Sequence, residues 1–209
     1  MLTLPLLEAG ASVTAADATP ELLDILAAHA VGFESRLTLA VGDIFETLSK
    51  CEQAGKRFDL ICASSFLHHI PEYLKLCRLS ARLLRPQGMF FTFQDPLRYD
   101  TLPRGTYLFD RCSYFIWRLF QGNYVRGIKT RWRRLIGTYN EDLPEDIVEY
   151  HVVRNGVDQK AIQCMFEAEG FDCEIQSYWS AQSGLFQHLG TKLGLSNTFA
   201  IIATQRKAQ

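Results

Sequence analysis

Residues 58–72 read FDLICASSFLHHIPE and residues 83–93 read LLRPQGMFFTF, and between them these two stretches decide the fold. Each contains a run of strand length, residues 58–63 and 89–93, that is largely apolar with little alternation. The run at residues 58–63 is what a strand covered on both faces of a parallel sheet requires, and residues 89–93 read as the next strand. Residues 72–84 between them predict a helix, which Arg85-Pro86-Gln87-Gly88 stops before the next strand. Strand, helix and strand at this pitch form the repeating unit of an α/β domain.

The same rhythm extends toward the N-terminus. Residues 2–9 (LTLPLLEA) predict a helix stopped by Gly10, with Pro5 tolerable only in its first turn. Residues 12–16 predict a strand that ends at Asp17. Thr19-Pro20-Glu21 then opens a helix to His29, with Thr19 as N-cap and Pro20 at the first helical position. Residues 36–41 predict a second strand followed by Gly42-Asp43, and residues 44–53 a helix or a loose connection. Toward the C-terminus, Asp158 is an N-cap for a helix over residues 158–169 that Gly170 stops. Strands at 171–178 and 198–204 then close the sheet as an antiparallel β-hairpin.

Composition narrows the class. The chain has 209 residues, of which 47% are hydrophobic, and a net charge of −1. That suits one domain over 1–209 with a core of its own. The near-neutral charge by itself argues neither for nor against a nucleic-acid partner. The six cysteines at 51, 62, 77, 112, 164 and 173 include no CxxC pair, so they read as free thiols, mostly buried, with no metal site. No stretch approaches the roughly 20 apolar residues of a membrane span, and the expectation is a soluble, cytoplasmic protein.

Asp17 after one strand, Gly42-Asp43 after the next, the FDLICASSFLHHIPE block and LLRPQGMFFTF together resemble a class I S-adenosylmethionine (SAM) dependent methyltransferase. The resemblance is to the small-molecule type with a Leu-His-His-x-Pro loop, and it covers the chain outside residues 98–136. It implies a Rossmann-like, mostly parallel sheet and methyl transfer from SAM to a small-molecule acceptor. One departure is Gln87, where the turn usually has a second glycine. A nicotinamide-binding domain would share the acidic residue after a strand, but it accounts neither for LLRPQG nor for the terminal strand pair.

The site follows from where these residues fall. Ligands of open parallel sheets bind beyond the carboxyl ends of the strands, and Asp17, Asp43 and residues 64–69 all stand at such ends. A carboxylate at Asp17, beside Ala18, can accept both ribose hydroxyls of a nucleoside; capping the following helix is its rival role. The resemblance implies that Asp43 accepts from the adenine amino group while Ile44 packs on the ring. It also implies that Ser64 and Ser65 line the floor near the methionine moiety, and that His68 and His69 face the cofactor or the acceptor as the candidate catalytic pair. A structural role for either histidine is the rival there. Methyl transfer from a sulfonium needs alignment more than a strong base.

The family's central first strand and its glycine-rich loop should precede residues 2–9, so that strand is expected to be missing from these 209 residues. Three arrangements then stand open: a longer native protein, a shortened sheet whose neighbours close directly, or a strand donated by a second chain. The resulting alternative to an enzyme is a cofactor-free methyltransferase-like binding or assembly module.

Residues 98–136 break the α/β rhythm. They hold nine Arg or Lys against two Asp, interleaved with aromatic residues, and predict two helices broken near Gly122-Asn123. The leading reading is a helical lid over the acceptor, with Tyr107 and Tyr114, and from beyond it Tyr150 and His151, as substrate-binding residues. A plain packed cap comes second, and contact with an anionic membrane surface or with nucleic acid comes last. Phe115, Ile116, Leu119 and Phe120, at helical spacing, are expected to form a packing stripe.

Overall fold

The computed structural model describes residues 2–120 and 155–206. The chain falls into two compact units, 1–58 and 59–209. In the first, helix α1 (Thr3–Glu8) is followed by strand β1 (Val13–Asp17), helix α2 (Pro20–His29), strand β2 (Leu37–Val41) and helix α3 (Ile44–Gln53). Pro5 does sit in the first turn of α1. Gly10, at φ +94°, takes the left-handed turn that ends it, donating to the Leu7 carbonyl. β1 and β2 pair in parallel, from Val13 opposite Leu37 to Asp17 opposite Val41.

One local expectation in this unit is corrected and a second is narrowed to one of its alternatives. Thr19 precedes α2, but its side chain makes no cap bond; instead Asp17 Oδ1 accepts from the Thr19 backbone N at 2.8 Å. Residues 44–53 form a regular helix because Asp43 caps it, one oxygen accepting from the N–H groups of Phe45 and Glu46.

The second unit contains strand β3 (Phe58–Ser64, which begins at the unit boundary), a single 3₁₀ turn (Leu67–His69), helix α4 (Tyr73–Leu83), strand β4 (Leu84–Pro96) and helix α5 (Arg104–Phe120). Helix α6 (Gln159–Ala168), strand β5 (Phe171–Tyr178), helix α7 (Gly184–Lys192) and strand β6 (Thr198–Gln205) complete it. Asp158 caps α6 through the Ala161 N–H, as expected. The sheet order is β3-β4-β6-β5, with β6 antiparallel to both β4 and β5. The described strands form a two-stranded sheet, β1 with β2, and a four-stranded one.

The core of this unit lies under β6. Phe199 and Ile201 of that strand are fully buried, along with Phe90, Ile162, Phe166 and Phe171. The Phe166 ring stands 4.9 Å from Phe90 and 5.3 Å from Phe171. Sequence pattern placed the strand covered on both faces at residues 58–63; in the structure it is β6 whose successive residues Thr198, Phe199, Ala200 and Ile201 are all buried. β3 is an edge strand with half-exposed side chains, Leu60 among them.

β4 starts five residues earlier than its apolar run, directly after α4, because residues 85–88 make their turn within extended backbone. Gln87 supplies it at φ +65°, a conformation that costs a non-glycine residue about 1–2 kcal/mol. The adjacent Gly88 is irreplaceable for a different reason: a Cβ there would stand 2.8 Å from the Arg85 carbonyl oxygen.

Of residues 98–136, the described part is the 3₁₀ turn Tyr99–Thr101 and helix α5; the expected break near Gly122-Asn123 and the second helix lie outside the described residues. α5 is pinned by Asp110, which accepts from Asn197 at 2.7 Å, and by Phe109, which packs on Trp179 and Phe186. Phe115, Ile116, Leu119 and Phe120 do not form a buried stripe. All four are exposed, and the inward residues of the helix include Thr106 and Ser113. Nor are the thiols mostly buried: Cys51 and Cys77 are, whereas Cys112 and Cys164 are exposed. No described helix is long and apolar enough to cross a membrane.

Candidate functional site

In the first unit, Asp17 and Asp43 follow adjacent parallel strands. They are joined through the backbone, the Gly42 N–H donating to the Asp17 carbonyl at 3.0 Å. Each carboxylate is half in use. Asp17 Oδ1 takes the Thr19 N–H, and Asp43 Oδ1 takes both N–H groups at the start of α3. Oδ2 of each accepts no hydrogen bond among the described residues. Turn-making and ligand-binding are therefore compatible here, since one oxygen orients the carboxylate and the other is left to accept. Ala18 is exposed beside Asp17, and Ile44 stands half-buried as the first residue of α3.

In the second unit the ends of β3 and β4 clasp one another. Ser65, at φ +51°, donates its N–H to the Phe93 carbonyl at 2.8 Å, and the Ser64 hydroxyl reaches the Gln94 amide oxygen at 3.4 Å. Both serines are exposed. His68 is buried: its backbone N–H and its ring Nδ1 both meet Asp95 Oδ1, at 3.1 and 2.8 Å. Thr92 donates to Asp95 Oδ2 at 3.0 Å. His69 is half-buried, and its ring centroid lies 4.0 Å from that of His68.

A one-residue bulge makes this clasp. Along β4 the side chains of Phe90 and Thr92 point inward, and strict alternation would send Gln94 in and Asp95 out. The ladder with β6 instead skips a residue between Phe93 and Asp95. Gln94 takes φ +64° and faces out, its N–H held by the Tyr178 hydroxyl at 2.8 Å. The parity change puts Asp95 on the buried side, 0% exposed beside Thr92. Burial, with the Asp95 charge as a lesser cause, pushes the Tyr178 phenol above its ordinary value. Two non-glycine residues in left-handed backbone, Ser65 and Gln94, thus stand on either side of one loop contact. Such strain is concentrated where a site must be held in one shape.

The predicted residues therefore gather in three groups. Asp17, Ala18, Asp43 and Ile44 come together in the first unit, and Ser64, Ser65, His68 and His69 in the second. Tyr107 and Tyr114 are partly exposed, two turns apart on α5, next to Tyr99 and Trp117 respectively. Tyr150 and His151 lie outside the described residues. Sequence reasoning missed Asp95, Thr92 and Tyr178. The signal for Asp95 was an acidic residue before proline at the end of the apolar strand MFFTFQDP.

The chain is similar to known methyltransferases. Residues 1–92 match the family described as methyltransferase domain. A ubiquinone biosynthesis O-methyltransferase of Actinobacillus pleuropneumoniae serotype 7 is 29% identical over 130 residues, covering 53% of this chain and 54% of the relative. One from Xanthomonas oryzae pv. oryzae is 33% identical over 82 residues, covering 39% and 33%. The chain spans between a third and just over half the length of these curated relatives. Among solved structures, an O-methyltransferase family protein from Burkholderia thailandensis superposes with a TM-score of 0.53 at 12% identity, over 94% of this chain and 44% of that one. A Galdieria sulphuraria structure assigned as a sarcosine dimethylglycine methyltransferase gives 0.55 at 12% identity, over 95% and 70%. At such identities the likeness is one of fold.

Proposed function

We propose, from the premise that this chain is a class I SAM-dependent methyltransferase by fold and by the family match of its first 92 residues, that it transfers the methyl group of SAM to a small-molecule acceptor. The observation that carries the reading is the pair of half-used carboxylates, Asp17 and Asp43, on neighbouring strand ends. A nucleoside offers two ribose hydroxyls and an exocyclic amine, all donors, and two oriented acceptor oxygens suit them. Asp17, with Ala18, is the ribose side; Asp43, with Ile44, is the adenine side.

Bound SAM supplies an activated methyl on a sulfonium, and the protein's share is placement. Ser64 and Ser65 line the methionine side of the reaction loop, and His68 and His69 stand toward the acceptor. The described part of residues 98–136, up to Phe120, is read as the acceptor lid, with the exposed rings of Tyr107 and Tyr114 on its aromatic side; Tyr150 and His151 are candidates for the same acceptor contacts. The relatives named for ubiquinone biosynthesis and O-methylation make a hydroxyl-bearing small molecule the first acceptor class to try.

Isothermal titration of SAM and S-adenosylhomocysteine into the 209-residue chain, and into any longer product of its gene, tests the reading. Binding at one site that Asp17→Ala weakens supports it. Absence of binding by every form would overturn it in favour of a cofactor-free module.

A further inference from the structure

The clasp between the ends of β3 and β4 contains a buried carboxylate that accepts from both its own strand and the neighbouring loop. Asp95 accepts three bonds: His68 N–H, His68 Nδ1–H and Thr92 O–H. Two of the three go to one residue of the 64–69 loop, and both fall on the same oxygen, Oδ1. An ionised carboxylate can only accept, so the ring nitrogen facing it must carry the proton. In a neutral imidazole the lone pair is then on Nε2. A bulge in the strand is needed to put Asp95 there at all.

We propose that Asp95 is a positioning residue of the methyl-transfer site: its buried carboxylate fixes His68 as the Nδ1–H tautomer and sets where the 64–69 loop stands over the end of β4. This rests on the reading of that loop as part of the reaction centre. The arrangement goes beyond filling a core. A leucine would fill the space, but it would leave the His68 backbone N–H and ring unsatisfied in a buried position. Thr92 completes the set from β4, so the carboxylate is held from its own strand while it holds the loop. Displacement of a reaction loop by about 1 Å costs on the order of 100-fold in rate, which is the scale on which this residue acts.

The geometry separates three variants. In Asp95→Asn the backbone N–H of His68, which can only donate, selects the amide oxygen for the Oδ1 position. The ring therefore keeps its acceptor, and the Thr92 hydroxyl reverses to accept from the new amide. In Asp95→Ala the ring loses its bond to the carboxylate. In Thr92→Val only the far side of the carboxylate is disturbed. The experiment measures kcat, KM and SAM affinity for the three full-length variants, with thermal melts to establish folding. It also records the imidazole nitrogen signals of ¹⁵N-histidine-labelled protein, with the His68 signals assigned by their absence in His68→Gln.

Asp95→Ala should lose kcat by about 100-fold with SAM affinity within about threefold of wild type, and its His68 should lose the Nδ1–H signature. Asp95→Asn should keep that signature and most of kcat, and Thr92→Val should keep both while melting lower. Equal kcat in Asp95→Ala and Thr92→Val, or a wild-type His68 with its proton on Nε2 alone, overturns the proposal. Failure of the wild-type protein to bind SAM overturns the functional reading instead, and with it the role in transfer; the nitrogen spectra read the tautomer in either case.

Discussion

Asp95 and His68 are 27 residues apart in sequence and 2.8 Å apart in the fold, and they meet because Gln94 is left out of the β4–β6 ladder. A buried acidic group with three donors is a high-stakes arrangement: complete, it defines one loop conformation, and incomplete, it is costly. Asp17 and Asp43 in the first unit, and the exposed Ser64 and Ser65 in the second, are held by fewer bonds: Asp17 Oδ1 accepts one backbone N–H and Asp43 Oδ1 two, while Ser65 donates to the Phe93 carbonyl and Ser64 meets Gln94 at 3.4 Å.

Asp17→Ala should weaken SAM binding more than Asp43→Ala does. Loss of hydrogen bonds to a charged acceptor costs about 1.5–3 kcal/mol, a factor of ten to a hundred in affinity. Asp43→Ala should in addition lower the melting temperature, since it removes the α3 cap at a cost of about 1 kcal/mol. Titration calorimetry and thermal melts on the two variants check both halves. Negligible effects on SAM affinity in both variants would end the nucleoside assignment.

Gln87→Gly should stabilise the protein by about 1 kcal/mol, because the residue is exposed and its φ of +65° is penalised only for side chains with a Cβ. Denaturant melts should show a higher midpoint with an unchanged slope. Gly88→Ala next to it should do the opposite, pushing a methyl group against the Arg85 carbonyl.

Asp158 caps α6 and pairs with Arg98 at 2.6 Å. The Ala161 N–H first, and then Arg98, hold its carboxyl below the usual range against an opposing effect of burial. A depressed folded value means that its stabilisation is present above the unfolded carboxyl range, about pH 4, and is lost as pH falls through the lower folded value. Asp158→Ala should therefore lower stability by about 1 kcal/mol at neutral pH, and part of that gap should close on acidification. A gap that is the same at pH 7 and below pH 3 would show that charge has no part in the cap.

Asp110 has the opposite sign. Burial raises its carboxyl above the ordinary value, with the Asn197 amide and Arg111 partly compensating. Its contribution therefore favours folding below the unfolded value and is lost as pH rises through the folded one. Asp110→Asn keeps an oxygen for Asn197 to donate to and removes the buried charge. It should raise the melting temperature at neutral pH and leave it unchanged in acid. A lower melting temperature at pH 7 would mean that the ionised form is required.

Elements whose boundaries depend on local chemistry were legible in the sequence. Gly10 ends α1, Pro20 opens α2, Asp158 caps α6, and the strands at 171–178 and 198–205 fall within a residue of where pattern put them. The LHH turn and the acidic strand ends were equally plain, because a polar residue after an apolar run has few places to go. Tertiary structure decided which strand is covered on both faces, since that cover comes from the elements packed above and below it: successive residues of β6 are buried, while β3 stays half-exposed. It also decided that α5 exposes Phe115 and Phe120 and turns Thr106 and Ser113 inward. Above all it decided Asp95. The direction of that side chain depends on a register skip, and a skip is a property of two paired strands, invisible in either strand alone.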